Sequence, residues 1–382
     1  MTAARRALEL RAEFPVLARC LYLNSNSTGA VPRGVEGVLA AYWETISGWR
    51  DEVWERWWRE LHEYADAVAA FVGAPPGTVV TDVNLSSLLG RLLGALQYGD
   101  RPKIVTTDLE FPTVPFLLAA QRRHGAVVHT VGSRDGASIE LEDLLPAIDE
   151  RTRLVCLSHA SYTTGALVDL PAVVRRARSV GAWVAVDAYQ SVGVVPIDVS
   201  ALGVDFLLGG AHKWMCGSIE SAFLYVHPSR TAQLEPAATG WMASRDPLSF
   251  GAATEYAATA RRFAAGTPAV LPALVSHVAL RILAELGIDA IRQASLRMTS
   301  RVLARALEAG LDVATPHADE RRGGIVCLRF PGDAAAVAAL KQRGMVCSHR
   351  GGVRVAPHFY NTDDEVDAFM DALLACARAS AS

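Results

Sequence analysis

Between Thr78 and Val226 the chain repeats one unit, a short apolar run of strand length followed by a turn and a stretch with helical spacing of its apolar residues. The runs are Val79 to Thr81, Lys103 to Thr106, Ala126 to Val131, Leu154 to Ser158, Trp183 to Val186, Phe206 to Leu208 and Ala222 to Val226. Strands joined through helices lie parallel, because a parallel connection needs a crossover long enough to return the chain to the same edge. The expectation is therefore an α/β fold, with a mostly parallel seven-stranded sheet covered by helices on both faces. In such sheets ligands sit in the crevice at the carboxyl ends of the strands, so chemistry-bearing residues are sought there.

The flanks are organised differently. The charged start, through Pro15, reads as a helix, and Cys20 to Asn24 as a short strand entering a polar turn that holds Gly29 and Pro32. One long aromatic-rich helix is expected over about 34 to 72, and a Gly/Ala-rich irregular segment over 230 to 268. Helices near 270 to 309, a strand Gly324 to Phe330, a helix Asp333 to Arg343, a strand Gly352 to Val355 and a helix from Asp363 read as a smaller α+β domain. With 382 residues, 51% of them hydrophobic, two cores are affordable. The expected division is a large domain of residues 20–268, with 1–19 and 269–382 forming the small one.

Composition excludes several function classes. A net charge of -3 without a basic run offers no electrostatic footprint for nucleic acid or a membrane surface, which leaves small molecules as partners. The cysteines at 20, 156, 216, 327, 347 and 376 lack ligand or framework spacing, so neither zinc nor disulfides are indicated. No apolar stretch approaches the ~20 residues of a membrane span, and the expected setting is the cytoplasm.

Only three of the 37 basic residues are lysine, at 103, 213 and 341, yet Lys213 ends the apolar run that starts at Asp205. An amine forms an imine with an aldehyde, whereas a guanidinium does not, and burial at a strand end eases its deprotonation. Trp183 to Asp187 is a strand ending in a carboxylate, so Asp187 and Lys213 should project into one crevice. That pair suits pyridoxal 5'-phosphate, which needs a lysine for its aldehyde and an anion beside its ring nitrogen. The structural alternatives are a snorkelling surface lysine and an aspartate that caps the next helix.

The strings VDAYQSVGVVPIDVSALGVDFLLGGAHK, ending at Lys213, and GVRVAPHFYNTDDEVD, starting at Gly352, resemble the cofactor core and C-terminal signature of the class V aminotransferase group of fold-type I pyridoxal phosphate enzymes. That group includes cysteine desulfurases, selenocysteine lyases, isopenicillin N epimerase and kynureninases. The resemblance covers nearly the whole chain. It makes Lys213 the imine lysine, Asp187 the pyridinium partner and Gln190 a donor to the ring's phenolic oxygen. The phosphate is expected at Asn84, Leu85 and Ser86, where a strand gives way to a helix N-terminus. His212, Trp241 and Thr267 also match phosphate-contacting positions, the last two supplied by a second subunit, which implies a homodimer with shared active sites. Phe111 is placed over the cofactor's face and Arg354 on the substrate's α-carboxylate. Asn26 and Tyr162 are expected on the substrate side, with walls from 24–28, 162–164 and 241–255. The corresponding structural readings are helix capping for Ser86, Ser87 and Thr267, core packing for Phe111, and a pair with Asp363 or Asp364 for Arg354.

Gripping the carboxylate selects which Cα bond stands perpendicular to the ring. If it is Cα–H, freed Lys213 takes the proton and leaves a carbanion delocalised into the ring. The chain departs from the desulfurases, because Cys347 lies too close to Arg354 for their mobile cysteine loop. It departs from kynureninases at Gln190 and His212, where those enzymes carry histidine and tyrosine, while Phe111, Trp241 and RVAPHFYN lean toward them. The reading is a β-eliminating C–S lyase on cysteine or a cysteine conjugate. The alternatives are an epimerase, an aminotransferase or a decarboxylating variant from the same carbanion and, from another class, a non-catalytic cofactor-binding protein.

Overall fold

A computed structural model describes residues 3–48, 53–251 and 255–381. The first eight strands are β1 (Leu21–Tyr22), β2 (Val79–Asp82), β3 (Lys103–Thr107), β4 (Val127–Val131), β5 (Thr152–Ser158), β6 (Trp183–Asp187), β7 (Phe206–Gly210) and β8 (Ala222–Val226). Seven of them, β2 to β8, form one sheet in the order β2-β8-β7-β6-β5-β3-β4. Every neighbouring pair is parallel except those made by β8, which runs against both β7 and β2. The exception has a local cause. No helix lies between β7 and β8, so the chain turns straight back instead of crossing over.

Alternation along the strands divides the core. On one face Ile104, Leu154, Ala185, Phe206, Leu208 and Leu224 pack with Leu88, Leu89, Leu92 and Leu93 of the helix Leu85–Gly94. On the other, Val105, Val155, Leu157, Val184, Val186, Leu207 and Tyr225 pack with the helices Val53–Phe71 and Leu170–Ser179. Each fully buried leucine of this kind contributes roughly 1.5–3 kcal/mol. The seven-stranded, mostly parallel sheet expected from the sequence is therefore the observed one.

Of the long helix expected over 34 to 72, Val35–Gly48 and Val53–Phe71 are helical, and residues 49–52 between them lie outside the described residues. The second helix buries Trp57, Leu61, Tyr64 and Val68 on one stripe and packs on the helix Val270–Leu286. Among the described residues no single helix is long and apolar enough to cross a membrane; Val270–Leu286 and Ile288–Glu308 combine sufficient length and apolarity only as a pair bent by 82°.

The remaining strands are β9 (Asp312–Val313), β10 (Val326–Arg329), β11 (Met345–Val346), β12 (Ser348–His349) and β13 (Val353–Val355). Four of them form an antiparallel sheet in the order β12-β13-β10-β9, whereas β11 pairs in parallel with β1. That pairing, continued by a bridge from Asn24 to Ala356, ties the N-terminal segment to the C-terminal sheet. It also brings Gly29 onto the lysine loop, where the Gly29 N–H donates to the His212 carbonyl at 2.7 Å. A Cβ at position 29 would lie 2.0 Å from the Lys213 carbonyl oxygen, so only glycine allows this approach.

Candidate active site

The carboxyl ends of β5, β6 and β7 open onto a cavity of about 320 Å³ lined by Ser158, Asp187, His212 and Lys213. Asp187 is the last residue of β6 and is buried, and its Oδ1 accepts the Tyr189 N–H at 2.8 Å. Burial pushes its carboxyl up to about 6, against the pull of Lys213. A cationic ring nitrogen placed beside it would favour the carboxylate again. Lys213 is partly buried, and burial pulls its amine down to about 8; Asp187 opposes that shift while Arg354 and Arg350 add to it. The ammonium nitrogen Nζ lies 4.8 Å from the Tyr189 ring centroid and 5.6 Å from that of Phe111, with no acidic partner in a salt bridge among the described residues. An amine with that proton affinity is far more often neutral at physiological pH than an ordinary lysine, which is what attack on an aldehyde requires.

At the opposite end the cavity reaches Asn84, Leu85 and Ser86, where the helix Leu85–Gly94 begins and its first N–H groups lack helical partners. Asn84 is the N-cap, its Oδ1 accepting the Ser87 N–H at 2.8 Å, so one of its two polar atoms serves the helix. Ser86 Oγ donates to Thr113 Oγ1 at 3.3 Å. Buried Arg91 pins this helix start, since it pairs with Asp82 at the end of β2 and donates to the Phe263 carbonyl at 2.6 Å. The N–H groups at this helix start are thus held by packing as well as by the helix itself.

The side of the cavity expected to face substrate is built from both sheets. Arg354, on β13, is buried and donates through Nη1 to the Tyr162 carbonyl at 2.6 Å, while its Nε has no partner. Burial, then the neighbouring Arg350, lowers its guanidinium to about 10. Among the described residues Arg354 pairs with neither Asp363 nor Asp364, the alternative considered from the sequence; Asp363 instead accepts Arg297 Nε at 3.0 Å. Phe111 meets Tyr162 edge-on with centroids 5.3 Å apart, and both line the cavity with Asn26 and Ser27. Gln190 also lines it; its Nε2 donates to the Asn26 carbonyl at 2.9 Å and its Oε1 accepts Trp214 Nε1 at 3.0 Å. His212 exchanges a hydrogen bond with the Tyr189 hydroxyl at 3.0 Å, and burial together with Lys213 lowers its imidazole to about 4, keeping it neutral. The C-terminal motif anchors the lysine loop, since His358 Nε2–H donates to the Trp214 carbonyl at 2.7 Å.

Two expected residues are not in this cavity. Trp241 stacks on Phe250 with centroids 5.5 Å apart beside a separate cleft, and Thr267 lines a third one. Of the expected walls, 24–28 and Tyr162 contribute, but no described residue of 241–255 does, and 252–254 lie outside the described residues.

Sequence reasoning passed over Tyr189, Ser158 and Glu110. Ser158 ends β5 as Asp187 ends β6, opposite it in the ladder, so the strand-end rule could have found it. Glu110 is buried behind both, accepting Ser158 Oγ and Thr107 Oγ1 at 2.6 Å each. Burial, then the charge of Asp187, pushes its carboxyl up to about 7 against those hydrogen bonds. A folded pKa above the unfolded one means that stability is fully present below about 4.5 and declines as pH rises through about 7. Glu110→Gln should remove that decline, on the order of 3 kcal/mol, from the cofactor-free protein. Denaturant unfolding of both proteins at pH 5 and pH 8 measures it; equal pH slopes would assign the effect elsewhere.

Against known proteins, the aminotransferase class-V family model matches residues 21–369. An uncharacterized aminotransferase of Bacillus subtilis (strain 168), YcbU, is 31% identical over 96% of this chain and 97% of its own. A kynureninase of Geobacillus thermodenitrificans is 31% identical over 93% of this chain and 88% of its own. Among solved structures, a cysteine desulfurase from Thermococcus onnurineus NA1 superposes with a TM-score of 0.86 at 23% identity, over 97% of this chain and 98% of that one. A cavity with a poised amine, a buried carboxylate, a helix N-terminus and an arginine, on a chain that matches this family model over almost its full length, leads to one conclusion: the chain belongs to the class-V aminotransferase family, whose enzymes use pyridoxal 5'-phosphate.

Proposed function

We propose that the protein is a homodimeric pyridoxal phosphate-dependent lyase that breaks the Cβ–S bond of cysteine or a cysteine S-conjugate. The observation that carries the reading is a Lys213 amine lowered to about 8 in one cavity with buried Asp187 and buried Arg354. When bound, the cofactor supplies an electron sink conjugated to Cα. Lys213 would hold its aldehyde carbon, Asp187 its ring nitrogen, Gln190 its ring oxygen, Phe111 its face, and Asn84, Leu85, Ser86 and His212 its phosphate. Arg354 grips the substrate α-carboxylate and turns Cα–H toward Lys213, whose Nζ takes that proton. Asn26 and Tyr162 border the side chain.

Two features support sulfur as the atom that leaves. A thiol of ordinary pKa, about 8.5, departs as thiolate without a proton donor, whereas an alkoxide needs one. His212 is neutral and burial drives the Tyr189 hydroxyl far up, so neither is a ready acid. Among the described residues no cysteine lines the cavity, and burial pushes Cys347 up to about 12, which favours release of a free thiol over capture of sulfur by the enzyme. The products are the thiol, pyruvate and ammonia, with one water consumed. The 31% identity to a protein called an aminotransferase keeps transamination from the same Lys213-held proton as the second reading.

The dimer is supported by exposed aromatic side chains, the stacked pair Trp241 and Phe250 and, elsewhere, Phe116, with Phe250 and Phe116 each 79% exposed. Trp241 and Thr267 would then complete the partner's phosphate site. Mass-spectrometric product analysis of the holoenzyme with cysteine S-conjugates in heavy water tests the reaction. Free thiol with pyruvate and ammonia is expected, from protein sedimenting at twice the 40.9 kDa chain mass. Substrate returned with deuterium at Cα, or cofactor converted to its amine form, would replace elimination with epimerisation or transamination.

A further inference from the structure

We infer that the preferred substrate carries a second anionic group, and that Arg350 is the residue that recognises it. In the proposed elimination this is a cysteine conjugate whose leaving half bears a carboxylate or a comparable anion. The inference rests on the reading of Arg354 as the α-carboxylate clamp.

Arg350 and Arg354 line the same cavity, and each arginine also acts on the charge of Lys213. The two differ in setting, since Arg354 is buried while Arg350 is exposed at the rim. One α-carboxylate needs one guanidinium fork. Among the described residues Asp187 is the only carboxylate side chain that lines the cavity, and in the proposed reading it belongs to the cofactor end. His212 is neutral. With Lys213 engaged by the cofactor and Arg354 by the α-carboxylate, the positive charge of Arg350 has no counterpart within the site.

Nor is it used elsewhere. Among the described residues the Arg350 side chain makes no hydrogen bond or ion pair, although its neighbours do: His349 Nε2 meets Asp333 at 3.0 Å and Arg329 Nε donates to the Gly351 carbonyl at 2.9 Å. Its backbone is nevertheless held in place. The Arg350 N–H donates to the Gly352 carbonyl at 2.9 Å across the β12–β13 turn, and Gly351 and Gly352 take φ of +62° and +147°. A Cβ at Gly352 would lie 2.8 Å from both Cys327 Sγ and the Leu328 carbonyl, so the turn has one close-packed form. Because Ser348 pairs with Arg354 in that hairpin, the distance between the two arginine backbones is set by the ladder and not by a loose loop. A guanidinium without a partner, on a fixed support at the rim of a substrate cavity, is suited to read a planar anion at the far end of a ligand.

The test separates this inference from the elimination chemistry by using ligands without a C–S bond. Calorimetric dissociation constants of the holoenzyme would be compared for L-2-aminoadipate and for L-homoglutamine, its neutral side-chain amide of the same length. Wild type is expected to bind the dicarboxylate roughly tenfold more tightly or better. Arg350→Gln should bring the ratio close to one by weakening the dicarboxylate alone, whereas Arg354→Gln should weaken both ligands. A wild-type ratio near one overturns the inference. So does a loss of affinity for both ligands in Arg350→Gln, which would place Arg350 at the α-carboxylate end. Thiol release by the wild type from S-methylcysteine, which has no second anion, measured in parallel, reports on elimination alone, so either claim can fail while the other stands.

Discussion

Lys213→Ala is expected to lower turnover at least about 1,000-fold and to abolish the absorbance band of the covalently held cofactor. The size follows from two losses. A positioned general base is worth about 10²–10⁴ in rate, and in the proposed role the same side chain would also provide the covalent anchor. Fold and assembly should survive, because Lys213 is only partly buried and, among the described residues, no salt bridge holds it. Its lowered pKa carries a second, independent signature. In cofactor-free wild-type protein, the rate of imine formation with added pyridoxal phosphate should rise through pH 8, where this amine loses its proton, and level off above it. An unshifted lysine would keep gaining rate up to about 10.4. Stopped-flow absorbance over pH 6 to 10.5 reads this directly. A midpoint above 10, or turnover retained by the alanine variant, would remove Lys213 from the chemistry.

Arg354→Gln is the second large effect. Removing one member of a desolvated charge pair costs about 2–5 kcal/mol, so kcat/KM for an α-amino acid should fall between roughly 30-fold and several thousand-fold. Most of the loss is expected in KM, with a smaller part in kcat because in the proposed reaction the gripped carboxylate would also orient Cα–H toward Lys213. The control is a substrate that lacks the α-carboxylate. Wild type and variant should process a cysteamine conjugate with equal, low efficiency, since neither has a carboxylate to grip. An equal loss on both substrates would mean that Arg354 matters through its bond to the Tyr162 carbonyl, by keeping that segment in place.

How much of this was readable beforehand differs from residue to residue. Asp187 and Lys213 were, because two apolar runs each led to a chemically unusual residue, and strands in a parallel sheet bring their ends together. Arg354 came from a motif rather than from any periodicity. Glu110 was not readable, since Asp108-Leu-Glu110 offers two acids and nothing local says which one is enclosed. The fold turns Asp108 outward to accept the Ser133 N–H at 2.9 Å and encloses Glu110 behind Ser158. Gln190 was assigned to the cofactor ring, but the structure shows that its amide also joins the Asn26 backbone to the Trp214 indole, partners 164 and 24 residues away. Trp241 and Thr267 sit outside their own chain's cavity, where a second subunit would be needed to give them the expected role.

Strand number, the parallel class and the position of the cavity along the sheet follow from short apolar runs that take turns with helical stretches, a pattern the chain displays locally. Other features depend on partners far away in sequence. The reversal of β8, the two-residue strands β9, β11 and β12, and the pairing of β1 with β11 that carries Gly29 to Lys213 are of this kind. Two residues are too few to show a period, and their hydrogen-bonding partners exist only after the sheet and the C-terminal helices have packed. The proton affinities of Lys213, Asp187 and Glu110 belong with them, because burial by residues from many segments shifts each one.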